Sequence, residues 1–572
     1  MQVSTQAISG VLDGNGTFLR EIRVGAEEVF RGVGFVARDE NWGTPSLAAT
    51  PRRADVGQRI DIESAGELST RSGDLNWSVT WTFDESAVEV VAKASSQSGF
   101  STNRTGLVVL HSLGASRGRP VRVTHPDRTQ QFTQFPTLIA PHQPFFDVAA
   151  MEYETRAGHR LRISFEGEVF EIEDQRNWTD ASYKTYCRPL RLPYPYRIGP
   201  GVTIRQRVRI EIFAIKSLNG RGGGRAPVEA SIGSVPAIGT SLPPGRPHAG
   251  AQHALKILAL NFTALEVDLA DTGWKADFDA RLALVTGKLR IDIRPAPGPA
   301  TLDALSALEP VVTHSDLLGV TLWGADDAML GAARDIFLKA PLGAGSPAFF
   351  TELNRTEPLP AQADYLSWPS NPTAHGVSDD TIGETTEVSE DILATIHAKA
   401  AARPLHVGPM TLRMRFNPVA TTPEGRRGPP PDPRQGTIIA AAWAVATLCG
   451  YIDETVRALD FFEPSGAKGL IDEMGAVTPA GAVLSRLARQ SGSLARALRW
   501  AGSPRARGLL IETSEGALLC VAYMRQDEVT LALPPRRWRL ERLGPSGFWS
   551  APPIGETLAM AGFSVAWLTA AP

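Results

Sequence analysis

Cysteine is scarce. The 572 residues hold three, Cys187, Cys449 and Cys520, far apart and with no CxxC pair. That spacing excludes a disulfide framework and a thiolate zinc site, and it fits a reducing compartment. Long apolar runs are also missing: no stretch of about 18 residues could span a bilayer. The N-terminus, MQVSTQAISGVLDGNG, lacks the basic and apolar regions of a secretory signal, so the expectation is a cytoplasmic protein without a membrane partner. An excess of one charge sign is absent as well. The net value of -3 leaves no basic footprint, which argues against nucleic acid as a partner. No GxGxxG or GxxxxGK[ST] phosphate loop and no HExxH pair occurs, so nothing points to a nucleotide or to a helical zinc site.

Short alternating segments fill the first 215 residues: LNWSVTWTF, AVEVVAKAS, GLVVLHS, PVRVTHP, HRLRISFEGEVFEIE and VTIRQRVRIEIFAI. Period-2 patterning between turn residues predicts an antiparallel β-sandwich domain over residues 1–218. NGRGGGRAP then reads as a linker, within 219–228. From 229 to 490, apolar runs alternate with helix-like stretches such as DDAMLGAARDIFLKA and GTIIAAAWAVATLCGYI. The eight candidate strands are SVPAIGTSL, ALEVDL, LRIDIRP, GVTLWGA, PAFFTELNR, DYLSWPS, LHVGPMTL and VRALDFFEP, and eight βα units predict a TIM barrel. Strands return in RGLLIETSE, ALLCVAYMR, EVTLALP, RWRLERL and FSVAWLT, which predict a small β-sandwich over 491–572. The fold class is therefore multidomain, β plus α/β.

Active sites of such barrels lie at the C-terminal ends of the strands, so the polar residues that close each run are the candidates. They are Asp268, Asp292, Trp323, Glu352 with Asn354 and Arg355, His375 with Asp379 and Asp380, Arg413 with Arg415 and Asn417, and Glu463. FFTELNR and DFFEPSG each place a Glu after paired Phe residues, on the strands counted as five and eight. Two carboxylates three strands apart could flank one bound ring, with unlike surroundings dividing them into an acid and a base. Arg413 and Arg415 suit the clamping of a carboxylate or hydroxyl-rich ligand. His375, Asp379 and Asp380 could in principle hold a metal, but no second His stands at ligand spacing, and no metal is expected. GASRG, around Ser116 with His111 and His125 nearby, matches GxSxG formally. It falls between two strand-like runs rather than at a strand-to-helix turn, so a hairpin loop is expected.

One stretch concentrates hydrogen-bonding groups: EDQRNWTDASYKTYCRP, residues 173–189. An unsatisfied buried polar group costs about 1–3 kcal/mol, so these side chains must pair with one another, with water or with a ligand. This stretch, together with NRTGLVVLHS, GRPVRVTHPD, FFTELNR, GPMTLRMRFNP, DPRQG and FFEPSGAKG, resembles the D-apionate lactonase family of bacterial apiose catabolism. The resemblance runs over nearly the whole chain in the order β domain, TIM barrel, β domain. It implies hydrolysis of D-apionolactone to D-apionate, a small sugar-lactone substrate and no redox cofactor. From strand-end position alone, Glu352 is expected as general base on water and Glu463 as acid, in reversible roles. Asp268, Trp323, Asn354, His375, Asp380, Arg413 and Arg415 are expected to bind substrate. The alternatives are a retaining glycoside hydrolase using the same two Glu residues and a catalytically inactive carbohydrate-binding protein.

Overall fold

A computed structural model describes residues 1–214, 226–296, 300–400, 402–420, 422 and 424–571. Most of the expected linker, 219–225, lies outside the described residues. The chain divides into two compact units. The first comprises Met1–Arg176, Ala181–Arg221 and Asn417–Arg427; the second comprises Asn177–Asp180, Gly222–Phe416 and Gly428–Pro572.

The first unit is built from an eight-stranded and an eleven-stranded antiparallel sheet. Its strands show why alternation was legible. In Gly73–Phe83 the side chains of Leu75, Trp77, Val79, Trp81 and Phe83 are buried, while the residues between them are half-buried, as a pleat with one face on a core requires. The polar stretch after Phe170–Asp174 resolves into a buried network. The Arg176 guanidinium bonds both carboxylate oxygens of Asp174, through Nε at 2.9 Å and Nη2 at 2.7 Å, and donates to the carbonyls of Pro136, Thr137 and Leu138. Neither side chain is exposed. Lys184 pairs with Glu173, and the Tyr186 hydroxyl donates to Glu171 at 2.5 Å. Ser116 lies in the short helix Leu113–Ser116, where its hydroxyl donates to the carbonyl of Ser112 at 2.6 Å. His111 is fully enclosed between Thr185 and Tyr153, and burial lowers its pKa to about 3.

The second unit holds a closed barrel of eight parallel strands: Ala237–Leu242, Phe262–Asp268, Lys288–Arg294, Leu317–Trp323, Leu342–Gly345, Tyr365–Ser370, Leu405–Met410 and Val456–Phe461. The fifth differs from expectation. PAFFTELNR is not a strand: the fifth strand is LGAG, four residues long, and Phe350–Arg355 is a helix after it. Two glycines in four residues give almost no strand signal, whereas the Phe pair mimics one. The helix Ile438–Gly450 follows Thr437, whose hydroxyl caps Ile439 N. From Ala440 onward it is buried on all sides, as its near-continuous apolar sequence demands. It packs on strands Ser503–Thr513, Gly516–Tyr523 and Ser564–Ala570 of a seven-stranded antiparallel sheet, in which Val228–Ser234, from before the barrel, joins six strands from Leu494 onward. Among the described residues no helix is long and apolar enough to cross a membrane.

Candidate active site

The eighth strand ends in a sharp bend. Phe461 and Phe462 are both buried and pack against Trp443, with ring centroids 6.4 and 5.9 Å away. Phe462 adopts a φ of 55°, a left-handed conformation that a bulky residue takes only where its surroundings impose it. The bend turns the next residue, Glu463, into a cleft at the C-terminal mouth of the barrel. Glu463–Ser465 then pairs in parallel with Gly469–Ile471, and Glu463 N donates to Lys468 O at 3.2 Å. This tight return brings Lys468 into the same cleft.

The cleft measures about 440 Å³, open solvent included. Its charged lining consists of three cations, Arg413, Arg415 and Lys468, and three carboxylates, Glu266, Asp432 and Glu463. Arg415 is ion-paired with Glu266 and donates to Pro347 O at 3.1 Å. Asp432 accepts from Arg413 Nε at 2.7 Å and from Arg434 Nε at 2.7 Å. Glu463 has neither a hydrogen bond nor an ion pair at its carboxylate among the described residues. Burial pushes its pKa above the ordinary value. Lys468 and Arg415 pull the other way, and the nearby Glu266 charge adds to the rise. Beneath the cleft, Arg290 bonds Asp292 and Asp460, at 2.7 and 2.8 Å, and Asp460 accepts from Ser241, itself a cleft residue. All three members of that ionic group are fully buried. Burial drives the Asp460 pKa up to about 6 against the pull of Arg290.

The expected residues separate. Glu463, Arg413 and Arg415 share the cleft, whereas Glu352, Asp268, Trp323, Asn354, His375 and Asp380 are not in its lining. Glu352 stands in the first turn of Phe350–Arg355, where its Oε2 accepts from Phe349 N at 3.0 Å and Ser346 Oγ at 2.9 Å. That is the return half of a capping box. Burial raises its pKa while these bonds oppose the rise. Asp268 ends the second strand and pairs with Arg294 at 3.1 Å. Trp323 is buried at the end of the fourth strand. Asn354 is buried and donates to Asn177 Oδ1 at 2.9 Å. His375 pairs with Asp180, Nδ1 to Oδ2 at 2.6 Å. Asp379 and Asp380 open the helix Asp379–Thr385, and Asp379 binds Arg434 at 2.8 Å. Among the described residues no three His, Cys, Asp or Glu side chains are grouped to hold a metal ion. Asn417 belongs to the first unit, where it donates to Asn41 O at 2.9 Å.

Sequence reasoning missed Glu266, Asp432 and Lys468. Glu266 lies two residues before Asp268 on the same strand, inside the apolar run rather than at its end. Asp432 and Lys468 stand inside DPRQG and FFEPSGAKG, two of the motifs that carry the family resemblance.

A family model described as "D-apionate lactonase, N-terminal domain" matches residues 5–214, and one described as "D-apionate lactonase, TIM barrel domain" matches residues 324–492. Together they span more than half of the chain. A D-apionate lactonase of Brucella anthropi is 29% identical over 527 residues, covering 82% of this chain and 83% of the relative. Among solved structures, a 4-O-α-L-rhamnosyl-β-D-glucuronidase from Fusarium oxysporum aligns at 8% identity over 62% of this chain and 99% of its own, with a TM-score of 0.43. A GH30 endoxylanase from Clostridium papyrosolvens aligns at 9% identity over 60% of this chain and 99% of its own, with a TM-score of 0.39.

Proposed function

The chain belongs to the D-apionate lactonase family, and from that premise we propose that it hydrolyses D-apionolactone to D-apionate, with Glu463 as the base that activates water. The observation that carries this reading is the open carboxylate of Glu463 in a cleft whose other two carboxylates are already held by arginines. A general base needs an accessible lone pair and a pKa raised toward the working pH, and burial provides the second.

Water loses its proton to Glu463 as its oxygen attacks the lactone carbonyl. Negative charge then develops on the carbonyl oxygen. Uptake of the proton removes one of the three negative charges of the cleft while Arg413, Arg415 and Lys468 keep theirs, so the field turns favourable to an oxyanion at the moment it forms. Arg415 and Arg413 are held in place by Glu266 and Asp432, and donors fixed beforehand stabilise developing charge without reorganising. The mixed donors and acceptors of the cleft suit the hydroxyls of a sugar-acid ring. Glu352 takes no chemical step in this scheme, because its carboxylate is engaged in holding a helix start.

The test is proton release by purified protein supplied with D-apionolactone and, separately, with stereoisomeric five-carbon aldonolactones. D-apionolactone is expected to open fastest. Equal or better opening of the stereoisomers overturns the substrate assignment, and no opening of any lactone overturns the function.

A further inference from the structure

A second cavity adjoins the cleft and shares Pro243 and Glu463 with it. One of its walls is the loop of residues 243–248, which follows the first barrel strand, and another is formed by Pro464 and Ser465. The helix Ala251–Leu258, which continues from that loop, packs on the strand Glu463–Ser465. Glu463 therefore borders two spaces: the cleft, with Arg413, Arg415 and Lys468, and this cavity, with Arg246, His248 and Ser465.

Successive side chains of a strand point to opposite faces, so Ser465 faces the same way as Glu463, two residues before it. Ser465 is 3% exposed, and among the described residues its hydroxyl has no hydrogen-bond partner. Buried hydroxyls in folded proteins are paired as a rule. One without a protein partner, on a cavity wall beside the reacting carboxylate, is placed to serve a ligand. His248 is exposed but fixed. It lies against Gly466, where a Cβ would stand 3.4 Å from three of its carbons and where a φ of 97° already favours glycine. Its Nδ1 accepts from Gly250 N at 3.1 Å, so in the neutral ring the hydrogen sits on Nε2, which makes that nitrogen a donor.

We infer that this cavity is the subsite for the hydroxymethyl arm of a five-carbon sugar lactone, with Ser465 and His248 as the side chains that recognise its hydroxyl. The inference rests on the lactonase reading. A γ-lactone of a five-carbon acid holds four carbons in its ring and carries the fifth outside it as a hydroxymethyl arm. The carbonyl end of the ring belongs with the cations of the cleft, where the oxyanion forms. An arm that leaves the ring past Glu463 enters the second cavity. Apart from Glu463 that cavity has no carboxylate, and its polar side chains Arg246, His248 and Ser465 all carry donors, which suits an alcohol oxygen. A site built to bond a substrate hydroxyl rejects the analogue that lacks it, because its own buried polar group is then left unpaired. The arm is thus the feature by which the site tells its substrate from smaller lactones.

The experiment measures kcat/KM of wild type, Ser465→Ala and His248→Ala, in the full chain, on D-apionolactone and on erythronolactone, a four-carbon lactone of the same ring size without the arm. Wild type should prefer D-apionolactone by at least about tenfold. Each variant should lose about tenfold on D-apionolactone and less than about twofold on erythronolactone, a split that a merely structural role would not produce. His248→Ala changes an exposed side chain and decides the matter should Ser465→Ala fail to fold. Wild type that opens both lactones alike, or variants that keep the wild-type preference, overturns the subsite and leaves the lactonase reading standing. Wild type that opens neither lactone overturns both.

Discussion

Glu266 and Arg415 form an ion pair in the cleft wall, and this pairing decides which carboxylate is open to react. Asp432 is likewise held by Arg413 and Arg434. Among the described residues, Glu463 is left with charged neighbours but no hydrogen bond or ion pair at its carboxylate. Glu463→Gln keeps the shape and removes the lone pair that takes the proton, so turnover should fall at least about 100-fold with the melting temperature unchanged. Lactone turnover within a few-fold of wild type would remove Glu463 from the mechanism.

Glu352 supplies the contrasting case. Its oxygen serves Phe349 N and Ser346 Oγ, so Glu352→Gln retains an acceptor and should keep turnover within about tenfold of wild type. Glu352→Ala leaves a helix-start amide unpaired and should cost about 1 kcal/mol of stability. A 100-fold loss of kcat in Glu352→Gln, measured by steady-state kinetics, would restore the carboxylate pair expected from the sequence.

The pH dependence follows from the direction of the Glu463 shift. Burial raises its pKa above the ordinary Glu value of about 4.3, so the ionised, base-competent form appears only above that higher value. The acid limb of kcat/KM should therefore lie above the ordinary carboxylate range. Lys468 lowers the Glu463 pKa, and Lys468→Met should move that limb further upward. The stability linkage has the matching sign: a carboxyl raised on folding favours the protonated native state, and that contribution is lost as pH rises through the folded pKa. A pH–rate profile that stays put in Lys468→Met would detach the limb from Glu463.

What was legible in the sequence was periodic. Trp77, Val79, Trp81 and Phe83 announce a half-buried strand because pleating puts alternate residues on one face. Apolar runs such as Phe262–Asp268 and Val456–Phe461 announce barrel strands buried on both faces. Leu342–Gly345 was invisible because four small residues carry no pattern, and the strand count slid onto Phe349 and Phe350. Glu463, Arg413 and Arg415 could be found from position alone, since each follows a strand end. The Asp180 to His375 pair could not. Its members are 195 residues apart, and only the tertiary fold brings them together.

The polar stretch after residue 173 makes a prediction about stability rather than chemistry. Asp174 and Arg176 are wholly buried, and Asp174 Oδ2 also accepts from Ala140 N at 3.0 Å. Removing one partner leaves the other charge in a medium that solvates it poorly, so Asp174→Ala should cost about 3–5 kcal/mol. Denaturant unfolding of the full chain measures it. A loss below about 1 kcal/mol would mean that the carbonyls of Pro136, Thr137 and Leu138 suffice to hold Arg176.

The last prediction separates lactone opening from glycoside cleavage by the charge each transition state develops. Glycoside hydrolysis builds positive charge on the anomeric carbon and needs a proton on the leaving oxygen, whereas lactone hydrolysis builds negative charge on a carbonyl oxygen. Of the three carboxylates in the cleft, Glu266 is neutralised by Arg415 and Asp432 is held by Arg413 and Arg434, which leaves Glu463. Lys468 adds positive charge near Glu463, lowering its pKa against the rise from burial. Such a field opposes an oxocarbenium ion and favours an oxyanion. Purified protein should open five-carbon sugar lactones in the presence of EDTA and leave aryl pentosides intact. Release of aryl alcohol from a pentoside without any lactone opening would reverse the charge argument. Activity abolished by EDTA and restored by a divalent ion would instead place a Lewis acid at the carbonyl oxygen, where this scheme puts Arg413, Arg415 and Lys468.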